Sequence, residues 1–209
     1  RLLLLADTHV PRRARDLPAE VWAEVDRADV VVHAGDWVEP QLLDALLERL
    51  ERAGGDPRAS RRREQPGRLL GVHGNNDGAE LRRRLPEVAR ARLEGLELAV
   101  VHETGDARGR ELRCDADPRF AGADLLVFGH SHIPWDTTTP RGLRLLNPGS
   151  PTDRRRQPAC TYMTAVVEGA RLEEVRTRRL PAPPARGTPA AGMGGRPAPG
   201  GRGAGRPPG

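Results

Sequence analysis

The stretch Ala123-Asp124-Leu125-Leu126-Val127-Phe128-Gly129-His130-Ser131-His132 decides how this chain folds. Its first half, ADLLVF, is a nearly unbroken apolar run of strand length. Its second half, GHSH, is polar and holds two of the six histidines. A short apolar run closed by glycine and polar residues reads as a strand buried on both faces. The same grammar recurs along the chain. Leu2–Asp7 (LLLLAD), Asp29–Asp36 (DVVVHAGD), Arg68–Asp77 (RLLGVHGNND), Leu96–Glu103 (LELAVVHE) and Leu143–Ser150 (LRLLNPGS) each hold a short apolar run and end polar.

Helical patterns lie between the early strands. Pro18–Arg27 opens with proline, which suits a first helical turn. Pro40–Arg52 spaces Leu42, Leu43, Leu46, Leu47 and Leu50 along a helical face. Gly78–Val88 is a short third candidate. Cys160–Gly169 and Ala170–Leu180 read as a closing hairpin that turns at Glu168–Gly169. The order predicts an α/β chain, alternating at first and mostly β later.

Charge is unevenly spread. Seven of the 34 basic residues lie after Val175 with no acid among them, so residues 1–175 carry 27 basic against 29 acidic side chains. A formal charge of about −2 on that part does not imply a nucleic-acid face. Aromatic residues are 3% of the chain, which argues against a platform for stacking bases. Cys114 and Cys160 make no disulfide framework. No stretch approaches the roughly 18 apolar residues of a membrane span, and RLLLLAD is too short for a signal-peptide core. The expectation is a cytoplasmic protein without a membrane partner, its oligomeric state left open. Residues 54–67 are expected to form a polar, Arg-rich loop. Residues 181–209, in which 17 of 29 positions are Pro or Gly, are expected to be a disordered tail appended to a domain of residues 1–180. RNA or anion binding through the tail's arginines is the weak exception to a domain that binds no nucleic acid.

The residues that close the strands carry the chemistry. They are Asp7-Thr8-His9, Gly35-Asp36, Gly74-Asn75-Asn76-Asp77, His102-Glu103 and Gly129-His130-Ser131-His132. The carboxyl ends of strands in an α/β sheet share one edge, and ligands bind there. Residues i and i+2 of an extended chain point to one side, so Asp7 pairs with His9 and His130 with His132. Asp7, His9, Asp36, Asn75, His102, His130 and His132 are too many for one tetrahedral ion. They suit two metals about 3.5–4 Å apart that share a carboxylate. Carboxylate, imidazole and amide oxygen favour manganese, iron, zinc, nickel or cobalt over copper or iron–sulfur without picking one, and manganese is the expectation. The absence of cysteine from the set argues against a thiolate zinc site.

In their order, DTH, GD, GNND, VVH, GHSH and NPGS resemble the signature series of calcineurin-like metallophosphoesterases, and most of all their small YfcE-type phosphodiesterase branch. The likeness spans Leu2 to about Val175. It implies an α/β, four-layer αββα sandwich of two mixed sheets flanked by helices. It also implies a first ion held by Asp7, His9, Asp36 and His132, and a second held by Asp36, Asn75, His102 and His130, with Asp36 bridging. The implied reaction is attack of a metal-bridging hydroxide on the phosphorus of a small phosphate ester, most simply a phosphodiester. Asn75 would donate its amide to a phosphate oxygen, and His9 would orient the phosphate or leaving group. Two departures stand out. Asn76 occupies a place where larger relatives carry histidine, and His102-Glu103-Thr104 replaces the frequent HGH. The alternative is a non-catalytic scaffold or binding module on the same fold. Asn76 and Asp77 are expected to orient imidazoles, and His33 and His73 to be structural. Trp135 either walls the site or covers core. Asn147–Ser150 reads as a turn, and Arg154, Arg155 and Arg156 as a solvated charge run.

Overall fold

The computed structural model describes residues 1–53 and 68–181. The Arg-rich loop and all but the first residue of the expected tail lie outside the described residues.

Strand β1 (Leu2–Leu5) shows why the apolar runs are unbroken. Side chains alternate across a strand. Leu3 and Leu5 pack with Val21 and Val25 of α1 (Ala19–Arg27) and with Leu42, Leu43, Leu46 and Leu50 of α2 (Pro40–Ala53). Leu2 and Leu4 join a different cluster that faces the second sheet. A strand covered on both sides has no polar face to show. Parallel register links β1 to β2 (Val30–His33) as Leu2↔Val30 to Leu5↔His33, and β2 to β3 (Leu69–Gly71) as Val31↔Leu69 to His33↔Gly71. Between them α1 and α2 cross back.

The second sheet forms from β4 (Val88–Leu93), β5 (Leu96–Val101), β6 (Leu125–Val127), β7 (Trp135–Thr138) and β8 (Arg144–Asn147), in the order β4-β5-β6-β8-β7. Strands β5, β6 and β8 run parallel, with β4 and β7 antiparallel at the edges. The hairpin β9 (Thr161–Glu168) and β10 (Arg171–Arg179) returns to the first sheet, ordered β10-β9-β1-β2-β3. Leu98, Val100, Leu125, Val127 and Leu146 meet Leu4, Val32 and Met163 between the sheets. On the far side Leu126, Phe128 and Leu145 pack with Cys114 of α4 (Arg110–Ala116) and with Phe120. Helix, sheet, sheet, helix is the four-layer sandwich expected, with two mixed five-stranded sheets.

Two expectations need correction. The third helix, α3 (Ala79–Arg84), stops before Val88. Leu85 is extended at φ −124 and ψ 138 because Pro86 crowds a helical residue before it, and Val88 opens β4 instead. The closing hairpin turns one residue later than expected, at Gly169 (φ 55) and Ala170 (φ 65). Two successive positive φ angles match the right-handed twist of the flanking strands. Strands β4 and β7 and helix α4 had no distinct signal in the sequence.

Candidate metal centre

Strands β1, β2 and β3 of one sheet and β5, β6 and β8 of the other all end at one rim, and the sheets face each other. The loops leaving them therefore meet. The Asp7 amide donates to the Gly35 carbonyl at 2.9 Å, that of His9 to Asp36 at 3.0 Å, and that of Gly129 to His102 at 2.9 Å. Gly129 is required by this approach. A Cβ there would lie 2.9 Å from the Ala6 Cβ and 3.0 Å from the Ala34 carbonyl oxygen. Asp7 (φ 53), His9 (φ 46), Asp36 (φ 61), His130 (φ 68) and His132 (φ 60) adopt left-handed backbone. That conformation costs a non-glycine residue about 1–3 kcal/mol and gathers at functional sites, where surroundings over-determine it.

All seven side chains singled out in the sequence come together. In one half, His9 Nε2 lies 3.2 Å from His132 Nε2, His132 Nε2 3.5 Å from Asp7 Oδ1, and His9 Nε2 3.6 Å from Asp36 Oδ2. In the other, Asn75 Oδ1 lies 2.9 Å from both His102 Nε2 and His130 Nδ1. His102 Nε2 is 3.4 Å from Asp36 Oδ1. Asp36 thus touches both halves. Asp7 gathers with His9 and His132 and also with Asp36 and His102.

The arrangement fits cations. His102 Nδ1 donates to the Ala34 carbonyl at 2.7 Å and His132 Nδ1 to that of Asp153 at 2.6 Å. In the neutral rings this leaves both Nε2 lone pairs facing inward. The buried Asp7 Oδ2 has no hydrogen-bond partner among the described residues. Buried polar atoms are nearly always satisfied, so an orphaned carboxylate oxygen among inward lone pairs is a place for positive charge. Burial pushes Asp7 up to about 8 and His132 down to about 4, and it lowers His9 as well. Burial opposes charge on Asp36 and on His102 too, but their mutual contact reverses this. Asp36 is held well below the usual carboxylate range, helped by hydrogen bonds from Asn76, and His102 is raised.

The supporting residues differ in part from expectation. Asn76 grips Asp36 directly, its amide N–H on Oδ1 at 2.9 Å and its Nδ2 on Oδ2 at 2.6 Å. Asp77 orients no imidazole. Its carboxylate accepts the amides of Gly74 (2.7 Å), Asp36 (3.1 Å) and Val38 (2.6 Å). Asn147–Ser150 is more than a turn. Asn147 Nδ2 donates to the Gly129 carbonyl at 2.8 Å, and Ser150 Oγ donates to that of Asp7 at 2.7 Å. Asp153, whose carbonyl orients His132, was missed in the sequence. Ser150 Oγ accepts its amide at 2.8 Å, and that Ser-x-x-Asp turn is the signal that would have located it.

His33 and His73 stay outside the donor set. His33 stacks on Trp37 at 3.5 Å with Nε2 3.1 Å from Thr8 Oγ1, and His73 Nδ1 faces Arg82 at 3.3 Å. Trp135 covers core: it packs against the outer cluster of the second sheet, under the Arg110 guanidinium at 4.5 Å. Arg154, Arg155 and Arg156 are exposed.

Fold and site together define a metallophosphoesterase. Residues 1–170 match the family described as the calcineurin-like phosphoesterase superfamily domain. The chain belongs to that family. It is 30% identical over 152 residues to the probable metallophosphoesterase MJ0623 of Methanocaldococcus jannaschii, covering 71% of this chain and 67% of that protein. It is 31% identical over 180 residues to a probable metallophosphoesterase of Methanothermobacter thermautotrophicus, covering 81% and 87%. Among solved structures, Entamoeba histolytica Vps29 complexed with zinc shares the fold, with a TM-score of 0.61 at 19% identity over 86% of this chain and 97% of that one.

Proposed function

We propose that this protein hydrolyses phosphodiester bonds at a pair of divalent cations. Asp7, His9, Asp36 and His132 would hold one, and Asp36, Asn75, His102 and His130 the other, with Asp36 shared. The observation that carries the reading is the convergence of seven oxygen and nitrogen donors from five strand-end loops in two halves joined by Asp36, with the Asp7 Oδ2 beside them orphaned among the described residues. Manganese is the proposed metal, and the donor set suits iron, zinc, nickel or cobalt as well. Bound ions of this kind neutralise phosphoryl charge and supply a nucleophile from water near neutral pH.

The chain's own groups do the rest. Asn75 turns its Oδ1 toward His102 and His130, and its Nδ2 would donate to a phosphoryl oxygen. His9, at the edge of the cluster and 7% exposed, orients the ester. Asn76 has no proton to give a leaving group, so leaving groups of low pKa are favoured, as in aryl diesters. The charge of about −2 over residues 1–175 supports a small ester over a nucleic acid. No helix among the described residues is long and apolar enough to cross a membrane, and a cytoplasmic location is part of the proposal.

The test is turnover of bis(p-nitrophenyl) phosphate with manganese. Changing groups that merely hold metal ligands costs about 10–100-fold, so Asp36→Asn and His132→Ala should each cost more than about 100-fold. Undiminished turnover in both purified variants overturns the proposal. The likeness to Vps29 supports only a shared fold. A scaffold reading has no observation of its own here, because all seven donors are present. It would be favoured by a purified protein that binds no transition metal and cleaves no ester.

A further inference from the structure

We infer that Arg82 is a positioning residue for the second ion's ligands, because its guanidinium fixes the Gly74–Asp77 loop in the shape that presents Asn75. The inference rests on the ligand assignment proposed above.

The loop is tied to Asp36 and Val38 through Asn76 and Asp77, and its Gly74 amide to the Asp77 carboxylate, but its main-chain carbonyls have little else to hold them. It is Gly-Asn-Asn-Asp, with no apolar anchor, and it leads into the six-residue helix α3, too short to be stable by helix propensity. Arg82 reaches back from that helix. Its Nε donates to the Asp77 carbonyl at 2.9 Å, and its Nη2 to those of Gly74 at 3.0 Å and Asn75 at 3.2 Å. Its Nη1 lies 3.3 Å from His73 Nδ1. One rigid, planar fork thus addresses four acceptors spread over five residues. Among the described residues the only main-chain donor to these carbonyls is the Asp77 amide, 3.5 Å from that of Gly74.

The effect passes beyond Asn75. Asp77, held at its carbonyl by Arg82, accepts the main-chain amides of Asp36 and Val38 on its carboxylate. Asn76 in turn binds both Asp36 oxygens. A loop that sags would misplace Asn75 outright and loosen Asp36 less, since Asp36 is also tied through its own carbonyl to His9. The second ion should therefore suffer more than the first. Arg82 is exposed, so its removal opens no core. Arg83, next to it on α3, is also exposed and makes no side-chain hydrogen bond or ion pair among the described residues, which makes it the control.

The experiment is calorimetric titration of the metal-stripped full chain with manganese. The wild type should bind two ions. Arg82→Ala should weaken one of them by about 10–100-fold, the usual cost of losing a group that holds a ligand in place, and leave the other within a few-fold. Arg83→Ala should change neither. Arg82→Lys keeps the charge and loses the fork, and should restore the weakened ion only in part. At a fixed low manganese concentration kcat for bis(p-nitrophenyl) phosphate should fall in Arg82→Ala with KM little changed, and recover at high manganese. Two ions bound by Arg82→Ala at wild-type affinity, equal weakening of both, or full recovery in Arg82→Lys each overturns the inference. A wild type that binds no manganese is a different failure: it sinks the two-ion proposal and this inference with it.

Discussion

Asp77 carries none of the donor atoms at the centre, yet three amides end on its buried carboxylate. Leaving a buried donor unpaired costs about 1–3 kcal/mol. Asp77→Ala should therefore cost about 3 kcal/mol or more, read as a lower urea midpoint in excess chelator, while Asp77→Asn keeps one acceptor and should fall between. Gly74 gives a sharper case. A Cβ on it would overlap the Asp36 carboxylate and lie 2.5 Å from the Asp36 amide nitrogen. Gly74→Ala should abolish turnover of bis(p-nitrophenyl) phosphate with the fold retained, and a variant with normal turnover would show that Asp36 has room to move. The seven donors were legible in the sequence because each follows an apolar strand whose end fixes where its loop begins, but not because the chain is extended there. Asp7, His9, His130 and His132 all have left-handed backbone, so the same-side rule for an extended chain does not place them. Asp77 was misread for a physical reason: sequence shows which residues are near one another but not which hydrogen-bond partner wins. Arg82 and Asp153 were missed because they act on main-chain carbonyls or through one, and main-chain groups look alike at every position.

Helix α2 shows what periodicity can deliver. Its leucines at 42, 43, 46 and 50 are buried as the spacing implied, while Leu47, which the sequence reading put on the same face, is 37% exposed. Leu46 is fully buried against the first sheet, with the sheet itself between it and the second sheet. Leu46→Ala should cost about 2–5 kcal/mol, the range for a leucine truncated in a core, with manganese affinity unchanged in the folded fraction. A loss of affinity as large as that of the Asp36 variants would mean that α2 packing sets the rim geometry. Other elements hid from the sequence for reasons their residues display. In β4 the alternation is of Ala89, Ala91 and Leu93 against Arg90 and Arg92. Two alanines give little apolar signal, and pairing with β5 decides the strand. In α4 the inward residues are Cys114 and Arg110, the latter 4% exposed and stacked on Phe128 at 4.8 Å and Trp135 at 4.5 Å. A guanidinium used as core filler breaks the pattern by which an amphipathic helix is recognised.

At the scale of the molecule, the two sheets join in two ways. Apolar side chains meet through the middle. At the rim, Asp7, His9, Asp36 and Asn75 come from the first sheet, and His102, His130 and His132 from the second. On the two-ion proposal each ion takes ligands from both sheets, so metal acts as a cross-link as well as a reagent. A ligand at about 100 times its Kd stabilises by about 2.7 kcal/mol, and each kcal/mol is worth about 2–4 °C in a protein of this size. Chelation should therefore lower Tm by about 5–11 °C for each ion removed. The pH dependence has a definite sign. Asp7 is raised from 3.8 to about 8 on folding, so in the metal-free protein its contribution favours the fold at low pH and is lost as pH rises through about 8. His102, also raised, acts in the same direction. Metal must displace those protons to bind, whereas His9 and His132, both lowered, already offer neutral rings. The Tm difference between manganese-loaded and chelated protein should therefore widen from pH 6 to pH 8. Equal melting temperatures with manganese and with chelator at pH 8 would mean that the rim is held together without metal.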